Sequence, residues 1–132
     1  MVEFINATES IKLYLTFHSY DQKLLFPNGY TNESIPEYNN LIQIGGKALG
    51  AIKGRFGSEY TCGNSNEDYP SSGETIDWVY GVKKVPLVYK IELRDKGKHG
   101  FVLPADQIIP NAIEVLNGLK AMVKEAKALK YL

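Results

Sequence analysis

Cysteine is almost missing from this chain: Cys62 is the only one in 132 residues, which excludes an internal disulfide framework and a thiolate metal cluster. Alone, Cys62 reads as an inert residue, because a nucleophilic thiolate needs a nearby base that the sequence does not identify. No apolar run approaches the roughly 20 residues of a membrane span, and Met1-Val2-Glu3-Phe4-Ile5-Asn6 lacks the basic and apolar regions of a signal peptide. Neither sign of charge prevails, since 15 Lys and Arg are matched by 15 Asp and Glu. There is thus no basic field to gather nucleic acid or anionic lipid, and no acidic tail. Internal repeats and low-complexity tracts are absent as well. With 44% hydrophobic and 23% charged residues, what remains is one soluble globular unit whose partner must be sought in a pocket.

The clearest pattern present runs from Leu87 to Arg94. Leu87, Tyr89, Ile91 and Leu93 fall on one face and Val88, Lys90, Glu92 and Arg94 on the other, the period of two of a strand. Glu92 therefore arrives at the carboxyl end of a strand, where open α/β sheets place their ligands and where low polarity raises a carboxylate toward the range of a general base. The same placement also suits a plain ion pair with Lys90 or Arg94. Upstream, Ile11, Leu13, Leu15 and Phe17 alternate with Lys12, Tyr14, Thr16 and His18, so His18-Ser19-Tyr20 falls at another strand end. A histidine there serves either as a hydrogen-bonded structural residue or as a metal ligand.

The remaining segments read more coarsely. Residues 1–9 look like a frayed end, with Phe4, Ile5 and Ala7 too few to bury a helix. Lys23 to Phe26 suits a short edge segment closed by the turn Pro27-Asn28-Gly29. Asn32 to Pro36 is a polar loop, and Asn32-Glu33-Ser34 has the form of a glycosylation acceptor. From Glu37 the spacing of Tyr38, Leu41, Ile42, Gly45, Ala48, Leu49 and Ile52 predicts a helix ending near Gly54 or Gly57. Gly45-Gly46 inside it costs about 1 kcal/mol each relative to alanine, which predicts close packing against a neighbour. Ser58 to Glu74 has no core signature and reads as a long loop in which Tyr69 is free to swing. Ile76 to Tyr80 suits a short helical turn. Beyond turns at Gly97 and Gly100, Pro110 opens a last helix with Ala112, Val115, Leu116, Leu119, Met122, Val123, Ala126 and Leu129 inside and Lys120, Lys124, Lys127 and Lys130 outside. This order of strands and helices indicates an α/β arrangement with a largely buried sheet.

Thr16-Phe17-His18-Ser19-Tyr20, Phe26-Pro27-Asn28-Gly29-Tyr30-Thr31, Ser71-Ser72-Gly73-Glu74-Thr75-Ile76-Asp77-Trp78 and the run from Glu92 to Pro104 together resemble the zinc carboxypeptidases of the pancreatic A/B type. The likeness extends from about residue 4 to about residue 125, and covers the carboxyl-terminal part of that catalytic domain. It implies part of a mixed, largely parallel sheet with flanking helices, a secreted enzyme, and the removal of single residues from peptide or protein C-termini. By this resemblance His18 matches a zinc ligand, and Glu92 matches the carboxylate that activates the zinc-bound water. Tyr69 matches a mobile tyrosine that closes over the terminal residue, and Tyr20 an aromatic bordering the neighbouring subsite. Ile76 occupies the pocket floor, where isoleucine implies a preference for apolar or aromatic terminal residues. Glu74 replaces a usually small residue, and either shrinks the pocket or admits a basic terminal residue.

Several of the family's features have no counterpart in the 132 residues. A His-x-x-Glu motif supplying the other zinc ligands, an arginine that polarises the carbonyl, and an Asn-Arg pair that grips the terminal carboxylate all belong upstream in the family. His99 stands where the family has an aromatic, and Met1 falls where it has the end of a helix. The resemblance therefore implies a partial domain, residues 1–132, inactive alone, whose missing N-terminal half is a further expected partner. A second reading is a carboxypeptidase-like binding module or decoy without catalysis. Poor solubility is also expected, from an uncovered sheet edge and apolar faces.

Overall fold

A computed structural model describes residues 2–132; Met1, and with it the expected helix end, lies outside the described residues. The chain runs α1 (Val2–Ala7), β1 (Leu13–Ser19), β2 (Lys23–Phe26), α2 (Tyr38–Phe56), β3 (Thr61–Asn64), α3 (Ser65–Asp68), α4 (Thr75–Gly81), β4 (Leu87–Leu93) and α5 (Ile108–Ala128). The four strands form one mixed sheet in the order β1-β4-β2-β3. β1 runs parallel to β4 and β2 parallel to β3, while β2 and β4 are antiparallel.

The alternation along β4 divides the molecule. Leu87, Tyr89 and Ile91 are buried with Leu24, Phe26, Leu41, Ile44 and Met122, on the face covered by α2 and α5. Tyr89 also donates its hydroxyl to the Leu41 carbonyl at 2.8 Å, pinning strand to helix. On the opposite face Val88 joins Ile5, Ile76, Val79 and Val85, and beyond it Lys90 and Glu92 continue the row. Burying both faces at one end of the strand and only one at the other is what leaves a polar recess at its carboxyl end.

The helices follow the predicted spacing with local reasons. α2 stops at Gly57, whose positive φ of 77° returns its N–H to the Lys53 carbonyl. α5 begins two residues before Pro110, because a 3-10 turn at Ala105–Gln107 already directs the chain into it; proline in the first helical turn forfeits no hydrogen bond. Gly45 permits the close approach expected of it: a Cβ there would collide with the Cys62 sulfur. Gly46 does not, since a Cβ at that position meets open space.

Other expectations are corrected. Residues 2–7 form a helix rather than a frayed end, because Ile5 is buried beside Ile76 and Val88; one apolar anchor against a formed sheet suffices. β2 is an inner strand between β4 and β3, not an edge. The stretch expected to be a loop contains β3 and α3. They lack an apolar signature because their buried residues are polar and satisfied locally: Asn64 donates to the Pro27 carbonyl at 2.9 Å and Asn66 to the Gly29 carbonyl at 2.8 Å. Within α5, Ala112 and Leu116 are exposed rather than internal. Leu116 shares an apolar groove of about 510 Å³ with Phe17, Leu103 and Ile108, beside β1 at the sheet's edge, so the uncovered apolar face expected from the sequence is present.

Candidate active site

His18 and Glu92 are brought together by strand register. In the parallel β1–β4 ladder Tyr14 lies beside Val88, Thr16 beside Lys90 and His18 beside Glu92. Paired residues of neighbouring strands project from the same face, so the imidazole and the carboxylate share the recess described above. They line a cavity of about 290 Å³ together with Thr16 and Lys90 from the sheet and Gly73, Glu74, Thr75 and Ile76 from the start of α4. α4 is held over the sheet from below by Ile76 and Val79, and from the side by Asp77, whose carboxylate accepts the Gly29 N–H at 2.9 Å.

Neither Lys90 on β4 nor Arg94 just after it pairs with Glu92. Lys90 donates to Glu74 at 3.1 Å, and Arg94 pairs with Glu114, its Nε 2.6 Å from Glu114 Oε1. Lys23, opposite Glu92 on β2, is taken by Asp21 and Asp68. The simple ion-pair alternative for Glu92 is thus not the arrangement adopted. Burial holds the Glu92 carboxyl above its ordinary range; Lys90 and His18 oppose that rise, and Asp68 and Asp21 reinforce it. His18 is exposed, with its Nε2 3.0 Å from the Thr16 hydroxyl. The arrangement offers a proton-accepting carboxylate beside an accessible imidazole.

Ile76 is 1% exposed and forms the apolar part of the cavity wall. Tyr20 and Tyr69 are not among its lining residues. Tyr20 packs on the turn after β4, with its ring 5.1 Å from that of Phe101 and against Gly97, where a Cβ would come within 3.2 Å of it. Tyr69 lies between α3 and α4 and is 74% exposed. The turn after β4 is fixed from outside the cavity. Glu114, fully buried on α5, receives Arg94, which also donates to Ser58 at 2.9 Å. His99 bonds Asp95 through Nδ1 at 2.5 Å and so closes the same turn.

Sequence reasoning missed Lys90 as a cavity residue, having treated it only as a companion of Glu92. The signal was available, because alternation places residues 90 and 92 on one face. It also missed the Arg94–Glu114 pair. There the signal was an acid at the first position of a buried stripe spaced by four, Glu114, Gly118, Met122 and Ala126.

Catalytic zinc takes about three protein ligands and keeps one position open. Among the described residues no group of three His, Cys, Asp or Glu side chains is placed to hold a metal ion. His18 offers one donor, His99 is engaged by Asp95, and burial pushes the Cys62 thiol up to about 12. Residues 2–132 do not by themselves fit a catalytic zinc.

Comparison with known proteins accords with this partial site. The family model described as zinc carboxypeptidase matches residues 1–118. A zinc carboxypeptidase of Simulium vittatum is 42% identical over 123 residues, covering 92% of this chain and 40% of that protein. Carboxypeptidase A1 of Bos taurus is 39% identical over 125 residues, covering 94% of this chain and 30% of its own length. The structure of bovine thrombin-activatable fibrinolysis inhibitor in complex with tick carboxypeptidase inhibitor superimposes with a TM-score of 0.91 at 30% identity, over 99% of this chain and 44% of that one. The chain thus spans less than half the length of these relatives, and the fold is a portion of theirs. With its register-paired histidine and glutamate and a family match along nearly all its length, the chain belongs to the zinc carboxypeptidase family.

Proposed function

We propose that this chain is the carboxyl-terminal part of a single metallocarboxypeptidase domain that removes one residue at a time from peptide C-termini, preferring apolar or aromatic ones, outside the cell. In this reading His18 is one ligand of a zinc ion whose other ligands come from the remainder of the domain, in line with the fraction of its relatives that the chain spans. Glu92 accepts a proton from the attacking water and returns one to the leaving amine; a carboxylate held above its ordinary range by burial is suited to both halves of that exchange. Ile76 meets the terminal side chain, and Tyr69 and Tyr20 border the substrate. The observation that carries the proposal is the direct pairing of His18 with Glu92 in the β1–β4 ladder, at the mouth of one cavity.

The test is a chimaera in which residues 1–132 replace the matching segment of bovine carboxypeptidase A1. It is expected to bind one zinc and release C-terminal phenylalanine from a blocked dipeptide, with zinc lost in His18→Ala. A folded, zinc-loaded chimaera that cleaves no C-terminal residue would falsify the reading. The second reading, a binding module or decoy, draws on the absence of a three-donor group among the described residues. It predicts that the 132-residue chain alone captures peptide C-termini, whereas the enzymatic reading predicts weak zinc binding and no turnover from that chain.

A further inference from the structure

We propose that the Glu74–Lys90 pair sets the charge preference of the cavity: intact, the two cancel and the cavity takes an uncharged terminal side chain, while loss of either partner redirects it to the opposite charge. This rests on the peptidase reading above and adds its specificity element. The pair joins the two walls of the cavity. Glu74 directly precedes α4, two residues before Ile76, and Lys90 lies on β4, two residues before Glu92. Their side chains are 17% and 18% exposed and 3.1 Å apart, and both line the cavity that His18 and Glu92 share.

Each partner consumes what the other would offer a ligand. Glu74 accepts from Lys90, from the Ser71 hydroxyl, and from the Ser65 hydroxyl at 3.3 Å, which leaves its carboxylate little capacity to receive a substrate's ammonium or guanidinium. Lys90 spends its charge on Glu74, with Glu92 and Asp77 the other acids that feel it. A half-buried charge deprived of its partner must find another, and in an open cavity a terminal side chain of opposite sign meets that need. Glutamate at position 74 therefore does not itself confer a preference for basic residues, because Lys90 already answers it.

The experiment compares kcat/KM of the chimaera for blocked dipeptides ending in Phe, Lys and Glu. The unaltered chimaera is expected to favour Phe. Glu74→Gln is expected to raise the Glu-to-Phe ratio about tenfold or more, Lys90→Met to raise the Lys-to-Phe ratio similarly, and the double variant to return to the Phe preference. The same pair introduced together, and each member alone, at the aligned positions of intact bovine carboxypeptidase A1 repeats the test in a framework known to fold, with the same pattern expected. Ratios that move less than about twofold in active single variants overturn the specificity proposal and leave the peptidase reading standing. So does a Glu74→Gln variant slowed equally on all three substrates, because Lys90 has then turned to Glu92 instead. Absence of all turnover in a folded, zinc-loaded chimaera sinks the peptidase reading, and this inference for the chain with it.

Discussion

Glu74 and Glu92 are two carboxylates lining one cavity, and their surroundings push them in opposite directions. Burial raises both. At Glu74 the hydrogen bonds from Ser71, Lys90 and Ser65 outweigh it, and the carboxyl settles below its ordinary range. At Glu92 the nearby positive charges act only at a distance, and burial prevails. Separation of this kind between neighbouring titratable groups is how a single site assigns different jobs to chemically identical side chains. The difference lies in the partners: side chains of the protein hold the Glu74 carboxylate, whereas Glu92 faces the cavity beside His18.

The largest effect should separate the two acids by activity. In the chimaera, Glu92→Gln is expected to lower kcat for the phenylalanine substrate by about 10²- to 10⁴-fold with zinc content unchanged, the range associated with loss of a general base. Glu74→Gln should leave turnover within about tenfold and alter chiefly which substrate is favoured. Equal losses in the two variants would erase the functional distinction between them.

A third acid sharpens the comparison by removing the cavity. Glu114 is fully buried and paired with Arg94, whose side chain is 13% exposed. Without Glu114, Arg94 is left with the uncharged Ser58 hydroxyl and Gln107 side chain, which do not balance its charge, and Glu114→Ala should destabilise the fold by about 3–5 kcal/mol. Replacing both members by apolar residues of similar size should recover much of that loss. Urea unfolding of the four variants in the cycle provides the measurement. A loss below about 1 kcal/mol would mean that Arg94 is hydrated and that the pair resembles a surface salt bridge.

Much of this is legible in the amino-acid sequence, and what is not has one physical origin. Period-two alternation fixed β1 and β4, and since His18 and Glu92 both end such runs, their meeting needed only a parallel pairing of the two strands. The helices α2 and α5 followed from their apolar spacing. What escaped was whatever depends on polar groups satisfying one another across the chain. β3 and α3 bury the polar Asn64, Asn66 and Ser65, held by hydrogen bonds, and Cys62 is the one apolar contact β3 adds to the core, so hydropathy passes over them. Lys90 reaches Glu74 across 16 residues and Arg94 reaches Glu114 across 20; local pattern offered Glu92 as their partner instead. α1 escaped because its single anchor, Ile5, matters only against a sheet that already exists.

The smallest effects concern stability and its pH dependence, and they should differ in sign. Glu74 has a folded-state pKa below its ordinary value of 4.5, so its contribution is present above pH 4.5 and is lost as pH falls through the depressed value. Glu74→Gln should therefore cost about 1 kcal/mol at pH 7, the scale of a partly buried charge-assisted hydrogen bond, with the difference from the unaltered chain closing in acid. Glu92 has a raised folded-state pKa against the same 4.5; its favourable contribution exists below that value and disappears as pH rises through the folded one. Once ionised, its carboxylate is a burden on the fold, and Glu92→Gln should then unfold at a urea concentration equal to or higher than that of the unaltered chain. Urea midpoints of the two variants between pH 4 and pH 8 should diverge as pH rises, one falling below the parent curve and the other reaching or exceeding it. Two curves displaced in the same direction would show that the two acids share one environment, and that the register-built site does not distinguish them.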